Sequence, residues 1–286
     1  MNNPSSILSS NMPLNDWRGS FTTLNGFTGT RPAQEFENLP WGKFCELVCS
    51  AKPFVVADKR LAQYFLPCLL KVAPLVGNTL EAAKKAGEST IGKMRSKNHV
   101  TEAAMLIMDI DGLNESDFIV GLDKISNDGI TFLAYTTHSH GSPDKSGVRA
   151  RLVIPLDHPL ATGEYYLAWH GLDKYFWNGL AGKADSSGAN LYQQQGIWSC
   201  HPSRIEHANR WVNSDGGVVS AQTLIELGRS VKTAQSATIN LPIIVNDANS
   251  VSSNQYPPSD ANKVAERCNQ IREFRDKKGA GQNETL

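Results

Sequence analysis

A run of core-type residues closes on two aspartates, Met105-Leu106-Ile107-Met108-Asp109-Ile110-Asp111-Gly112. Successive side chains along a strand point to opposite faces, so Asp109 and Asp111 share one face of the strand that this run predicts. Ionised carboxylates at the tip of an apolar strand are costly unless something positive meets them. The pair therefore reads as a clamp for a divalent cation. Asp111-Gly112 alone could simply be a turn that ends the strand. The wider pattern argues for the clamp.

Several elements must position that pair. After Ile110, Asn114 is a plausible cap for a helix carrying Phe118, Ile119, Leu122 and Ile125 on one face. Residues 131–136 form a β-rich run, and Arg149-Ala150-Arg151-Leu152-Val153-Ile154-Pro155-Leu156 forms another. A helix over residues 162–180 carries Leu167, Leu172, Phe176 and Leu180, and a short strand covers residues 192–199. The order is β-α-β-β-α-β, an α/β (α+β) class of the ferredoxin-like or RNA-recognition-motif type, a split βαβ core with an N-terminal α/β module before it. If the third strand inserts between the first two, it runs antiparallel to the Asp109 strand. Arg149 and Arg151 then face Asp109 and Asp111. The fourth strand begins at the same end and brings in residues 182–187 with Asp185. Three carboxylates and two arginines converge on one edge.

Metal-assisted phosphoryl transfer needs carboxylates that hold Mg²⁺ or Mn²⁺ against the reacting phosphate, and cations that neutralise a triphosphate. Asp109, Asp111 and Asp185 meet the first need. Arg149 and Arg151 meet the second, because a planar guanidinium matches phosphate through two parallel bonds. The loop Thr136-Thr137-His138-Ser139-His140-Gly141-Ser142 adds donors, with His138, His140 and Ser142 as nucleotide contacts. The two histidines lack a further ligand at zinc spacing. Gly141 and Gly147 form no phosphate-loop signature, and no Ser-His-Asp or Cys-His set can be assembled. The basic stretch over residues 93–99 is either a solvated loop or, through Arg95 and Lys97, a contact for template or nucleotide.

The same residues carry a resemblance. The hydrophobic strand ending in Asp109-Ile110-Asp111 resembles the first motif of the archaeo-eukaryotic primase (primase-polymerase) superfamily. Residues 135–140 and 149–156 resemble the primase-polymerase domains of phage and plasmid replication proteins, and Asp185 matches the third-motif carboxylate. The resemblance spans about residues 35–215. Two departures stand out. The superfamily usually places a histidine in its second motif, where this chain has Arg149 and Arg151. Relatives often carry Ser-Arg after the third carboxylate, where this chain has Gln193-Gln194-Gln195. The resemblance implies a DNA-templated nucleotidyltransferase, a primase or polymerase, that makes or extends primers with Mg²⁺ or Mn²⁺. Its partners would be a single-stranded DNA template, nucleoside triphosphates and a replicative helicase. An alternative is a non-catalytic DNA-binding replication initiator on the same fold, which would tolerate loss of the carboxylates. A nucleotide-sugar transferase also uses Asp-x-Asp, but leaves the Arg-x-Arg strand and the element order unexplained.

Composition bounds the rest. The chain has 286 residues and equal numbers of basic and acidic residues, 28 of each, so any groove for a nucleic acid must be local rather than a global field. Five cysteines without metal-ligand spacing suit a reducing cytoplasm, and Cys45 and Cys49 are read as packing residues. The start lacks a signal pattern and no apolar run is long enough to span a bilayer. Residues 1–30 are polar and predict a flexible arm, residues 31–235 the catalytic domain, residues 236–262 a linker, and residues 263–286 the start of a helical segment. From Phe36 to Leu69 the apolar spacing predicts helix. Residues 267–274 resemble the opening of the small helical domain that follows the catalytic domain in such replication proteins.

Overall fold

Aromatic residues organise the N-terminal module in the computed structural model, which describes residues 10–177 and 184–239 and the side chains among them up to residue 231. Strand β1 (Gly19–Asn25) pairs antiparallel with β2 (Pro32–Leu39) on one side and β4 (Gln63–Leu66) on the other. Helix α1 (Trp41–Val48) and the short β3 (Phe54–Val55) lie between β2 and β4 in the chain. Trp17, Phe21, Trp41, Phe44 and Phe65 form one core cluster, and the Trp17 indole N–H donates to the Ala104 carbonyl at 3.1 Å.

Two expectations for this region are corrected. The flexible arm cannot reach residue 30, because Trp17 and Phe21 are each 1% exposed and β1 is an inner strand, paired on both sides. Residues 1–9 lie outside the described residues. The helical reading of residues 36–69 holds only for α1. Phe36 sits in β2 and Tyr64 and Phe65 sit in β4. Tyr64, Phe65 and Leu66 are all buried, so that strand is covered on both faces, and a continuous apolar run has no period to separate strand from helix.

The chain continues through β5 (Ala73–Pro74), α2 (Gly77–Ala86) and β6 (Ile91–Gly92), where β5 pairs antiparallel with β6. The second large sheet then begins with β7 (Glu102–Leu113), α3 (Glu115–Asn127), β8 (Phe132–Thr136), β9 (Val148–Ala161) and α4 (Thr162–Phe176). Asn114 caps α3 as expected, its side-chain oxygen accepting the Asp117 backbone N–H at 2.8 Å. Strand β9 lies between β7 and β8 and is antiparallel to both. Five elements of the split βαβ order are therefore in place, and the fold is a mixed α+β one.

The sixth element differs. Residues 192–199 do not join this sheet. Strand β10 (Gln195–Gly196) pairs with β4 of the N-terminal sheet, and β11 (Ser199–Cys200) pairs parallel with β3. The physical reason is polar: Gln195 and the Gly196 carbonyl accept hydrogen bonds from Arg151, which places them over the face of the second sheet instead of beside it. The outer strand is β12 (Arg210–Asn213), next to β8, giving the order β12-β8-β9-β7. At the edge of β7, among the described residues, an isolated bridge of Ile110 with Ala184 stands where a fourth strand was expected.

The two faces of this sheet are covered differently. Leu106, Met108, Ile110, Leu152 and Ile154 cluster with Phe118, Leu122 and Ile125 of α3 and Trp169 and Leu172 of α4. Met105, Ile107, Leu133, Tyr135 and Val153 cluster with the N-terminal aromatics. Between the two irregularities of β7, the odd-numbered positions 105–111, which include Asp109 and Asp111, therefore face the N-terminal module.

Helix α5 (Ala221–Ile239) buries Leu224 and Ile225, and its course past residue 236 moves the domain boundary to the end of the compact unit Met1–Asn240. The expected linker beyond 240, the segment 263–286 and residues 178–183 lie outside the described residues. Among the described residues no helix is long and apolar enough to cross a membrane. Cys45 and Cys49 are buried as expected, and burial pushes both thiols up to about 12, which makes them poor nucleophiles.

Candidate active site

Register brings the predicted pairs together: Asp109 stands opposite Arg151 and Asp111 opposite Arg149 across β7 and β9. Both pairs close into ion pairs. Arg149 Nη2 donates to Asp111 Oδ2 at 2.5 Å, and its Nε donates to Ser139 Oγ at 3.3 Å. Arg151 Nη2 donates to Asp109 Oδ2 at 3.1 Å.

Beyond Asp111 the ladder bulges at Gly112, whose φ is 80°. A Cβ on Gly147 opposite would lie 2.7 Å from the Gly112 carbonyl oxygen, so glycine alone permits the two strands to cross so closely there. The Asp111-Gly112 dipeptide is thus a bulge inside a strand, and the strand continues to Leu113.

Asp185 arrives on the free edge of β7. Its backbone N–H donates to the Asp109 carbonyl at 3.1 Å, and its own carboxylate caps a short turn by accepting the Ser187 N–H at 2.9 Å. Asp109, Asp111, Asp185, Arg151, His138 and Thr137 line one cleft of about 190 Å³. The loop histidines part company. His138 Nε2–H donates to the Val56 carbonyl at 2.7 Å, and its pKa is lowered chiefly by burial. His140 lies outside the cleft lining, its Nδ1 accepting the Arg149 backbone N–H at 3.4 Å and its ring against His207. Ser142 bonds to Asp144 in an exposed loop and does not line the cleft either. Arg95 and Lys97 are also absent from the lining, and the Arg95 backbone N–H is tied to the Thr30 carbonyl at 2.6 Å.

The two arginines differ in kind. Arg151 is 8% exposed and makes two further bonds, from Nε to Gln195 Oε1 at 2.8 Å and from Nη1 to the Gly196 carbonyl at 3.0 Å. The Tyr135 hydroxyl donates to that same carbonyl at 2.9 Å. All three nitrogens of the fork are thereby engaged by protein. Arg149 is not among the cleft-lining residues itself; it stands outside the lining, paired to the more exposed carboxylate.

Burial and neighbouring charges act together on Asp111. Burial raises the pKa of Asp111, the neighbouring charge of Asp109 raises it further, Arg149 and Arg151 oppose that rise, and Asp185 adds to it. Asp109 Oδ1 is buried without a hydrogen-bond partner. Such an orphaned anionic oxygen, in a set of hard oxygen donors, fits Mg²⁺ or Mn²⁺. Among the described residues, however, no three acidic, histidine or cysteine side chains stand together as a ready cage. A bound cation would draw on Asp109 Oδ1 and share the two carboxylates with their arginines.

No protein-family model matches the chain, and no curated protein matches it. Two solved structures are similar to it. One is the primase-polymerase (AEP) domain of cyanophage S-2L, at 10% identity and a TM-score of 0.38, covering 78% of this chain and 92% of that one. The other is the polymerase domain of Mycobacterium tuberculosis ligase D in complex with DNA, at 14% identity and a TM-score of 0.31, covering 64% of this chain and 69% of that one.

Sequence reasoning missed the residues that the N-terminal module adds to the cleft, chiefly Lys59, Tyr64 and Phe27, and it noted Gln194, which also lines the cleft, as a departure from the family pattern without a role. Lys59 follows the cap Asp58, and its ammonium feels Asp109 and Asp111 as well as Arg151 and Arg149. Burial is the largest influence on it and lowers its pKa. The only sequence signal was a charged triplet, Asp58-Lys59-Arg60, between two apolar stretches, and that has no functional signature of its own.

The raised pKa of Asp111 has a measurable consequence. A carboxylate whose folded pKa lies above its unfolded value holds its proton more tightly when folded, so its ionisation costs stability as pH rises from about the unfolded value of 3.8. A cation relieves that cost at neutral pH and loses its hold as the carboxylates protonate. Mn²⁺ at about ten times its dissociation constant is expected to raise Tm by about 3–5 °C at pH 7. The increment should shrink as pH falls towards 4, measured by differential scanning fluorimetry. An equal increment in Asp109→Asn would place the cation elsewhere.

Proposed function

We propose that this chain is a metal-dependent nucleotidyltransferase of the primase-polymerase type, making or extending a primer on a single-stranded DNA template. One observation carries the reading: the Asp109–Arg151 and Asp111–Arg149 pairs lie side by side on the sheet face turned to the N-terminal module, with Asp185 fastened to the Asp109 backbone and one Asp109 oxygen left without a partner. Phosphoryl transfer of this kind needs little covalent chemistry from the protein, so positioning and charge supply the catalysis. Asp109, Asp111 and Asp185 would hold Mg²⁺ or Mn²⁺. When bound, that ion would neutralise charge on the triphosphate and ease deprotonation of the attacking hydroxyl. Arg149, beside Asp111, takes triphosphate oxygens, with Lys59 supplying a second positive charge from across the cleft. Arg151 holds Asp109. The primer, template and replication context rest on the motif resemblance.

A primer-synthesis assay on single-stranded DNA with labelled nucleoside triphosphates, run with Mg²⁺ and with Mn²⁺, tests this directly. Labelled oligonucleotide products dependent on either ion support it. The rival reading, DNA binding without catalysis, draws on the fact that both aspartates already have an arginine partner and so are charge-balanced without metal. Tight binding of single-stranded DNA with no product in either metal would favour that rival.

Arg149→Lys keeps the charge but loses the planar fork. Steady-state kinetics are expected to show KM for the nucleotide raised about tenfold, equivalent to ~1.4 kcal/mol, with DNA affinity unchanged. A parallel loss of DNA affinity would move Arg149 to the template.

A further inference from the structure

Two acceptors in the cleft are buried and lack a donor: Asp109 Oδ1, treated above as a cation ligand, and Gln194 Oε1. Gln194 is 5% exposed. Its Nε2 donates to the Phe27 carbonyl at 2.7 Å, which fixes the orientation of the amide, since a flipped amide would set two oxygens against each other. An amide oxygen buried in a cleft wall without a donor is costly, and a ligand that brings a donor recovers that cost.

The neighbours of Gln194 indicate which part of a ligand arrives there. On one side stands Phe27, an aromatic residue 49% exposed, edge-on to Tyr64 at a ring-centroid distance of 5.8 Å. On the other side Gln195 holds Arg151, and through it Asp109. Gln194 is thus tied to the backbone of Phe27, whose ring suits a flat base, and its chain neighbour leads through Arg151 to the carboxylates, which suit a cation and phosphates, all in one cleft. In a nucleoside triphosphate the ribose joins the base to the phosphates, and its hydroxyl groups are hydrogen-bond donors. Phosphate oxygens, ionised at neutral pH, offer none.

We propose that Gln194 reads the sugar of the incoming nucleotide, its Oε1 accepting the hydrogen of a ribose hydroxyl. This rests on the nucleotidyl-transfer reading. Gln194 then serves as a specificity residue, contributing to choice of sugar and not to the chemical step.

Isothermal titration of the full chain with ATP, 2′-deoxy-ATP and 3′-deoxy-ATP in Mg²⁺, without template, tests the proposal. One deoxy form is expected to bind about tenfold more weakly than ATP, and which one it is identifies the hydroxyl. Gln194→Met, with Gln194→Leu as a second variant and thermal melting to confirm folding, should erase that gap by weakening ATP alone. Equal binding of ATP and both deoxy forms by the unaltered chain overturns the proposal, as does a gap that survives in both variants. If substitution at Gln194 instead changes preference among ATP, GTP, CTP and UTP while leaving the sugar gap intact, Gln194 reads the base and the proposal is wrong. Absence of any nucleotide binding to the unaltered chain overturns the nucleotidyl-transfer reading together with this one, whereas nucleotide binding without sugar discrimination overturns this one alone.

Discussion

Asp111→Ala and Asp109→Ala are each expected to reduce nucleotide incorporation about 10³-fold while leaving a folded protein. The magnitude follows from the role assigned to the carboxylates: charge stabilisation by a positioned metal ion is worth several kcal/mol, and about 4 kcal/mol corresponds to about 10³ in rate. The fold should survive for an electrostatic reason. Asp109 and Asp111 share a strand face, and their mutual repulsion is part of what raises the Asp111 pKa, so removing one charge relieves the other. The Asp111 side chain is 37% exposed, and its loss leaves Arg149 within reach of Ser139 and solvent. Circular dichroism would confirm folding, with a melting curve close to that of the unaltered chain for Asp111→Ala and a lower one for Asp109→Ala, which leaves the buried Arg151 without its carboxylate, and a labelled-primer assay would read the activity. Retention of substantial incorporation by a folded Asp111→Ala protein would remove the metal-site reading.

The legible part of this site was local or followed from short-range geometry. Asp109 and Asp111 share a face because side chains alternate along a strand, and Arg149 and Arg151 meet them because insertion of the third strand between the first two fixes an antiparallel neighbour. The same reasoning failed one element later. Residues 192–199 look like a strand, but where they pair depends on Arg151, whose side chain reaches across to Gln195 and Gly196. No periodicity encodes that reach. Lys59, Phe27 and Tyr64 were invisible for a related reason: they enter the cleft from a module more than forty positions earlier in the chain than Asp109, and nothing in their spacing says which sheet face they will cover. The polar start of the chain misled in the opposite direction. Its average composition is that of an arm, yet Trp17 and Phe21 together bury enough aromatic surface to anchor a central strand.

Arg151→Met is expected to lower stability by about 2–3 kcal/mol and to depress incorporation with it, whereas Arg149→Lys should leave stability nearly unchanged. Arg151 is buried, and removing one partner of a buried ion pair leaves the other uncompensated, a loss of about 3–5 kcal/mol at full burial. The figure is reduced here because the Asp109 side chain retains 24% exposure, and solvent softens the isolated charge. Three acceptors lose their donor at once: Asp109 Oδ2, Gln195 Oε1 and the Gly196 carbonyl, the last still held by the Tyr135 hydroxyl. Those acceptors belong to both sheets, since Asp109 lies on β7 and Gln195 and Gly196 pair with β4. The substitution should therefore loosen the contact that sets Asp109 against the N-terminal module, and the melting temperature should fall by about 5–10 °C. A double-mutant cycle with Asp109→Asn separates this role from a direct one. If Arg151 acts by holding Asp109, the two substitutions should be coupled by about 1–3 kcal/mol in stability, and the double variant should be no less active than Asp109→Asn alone. Additive losses in both stability and nucleotide KM would instead show that Arg151 meets the triphosphate itself.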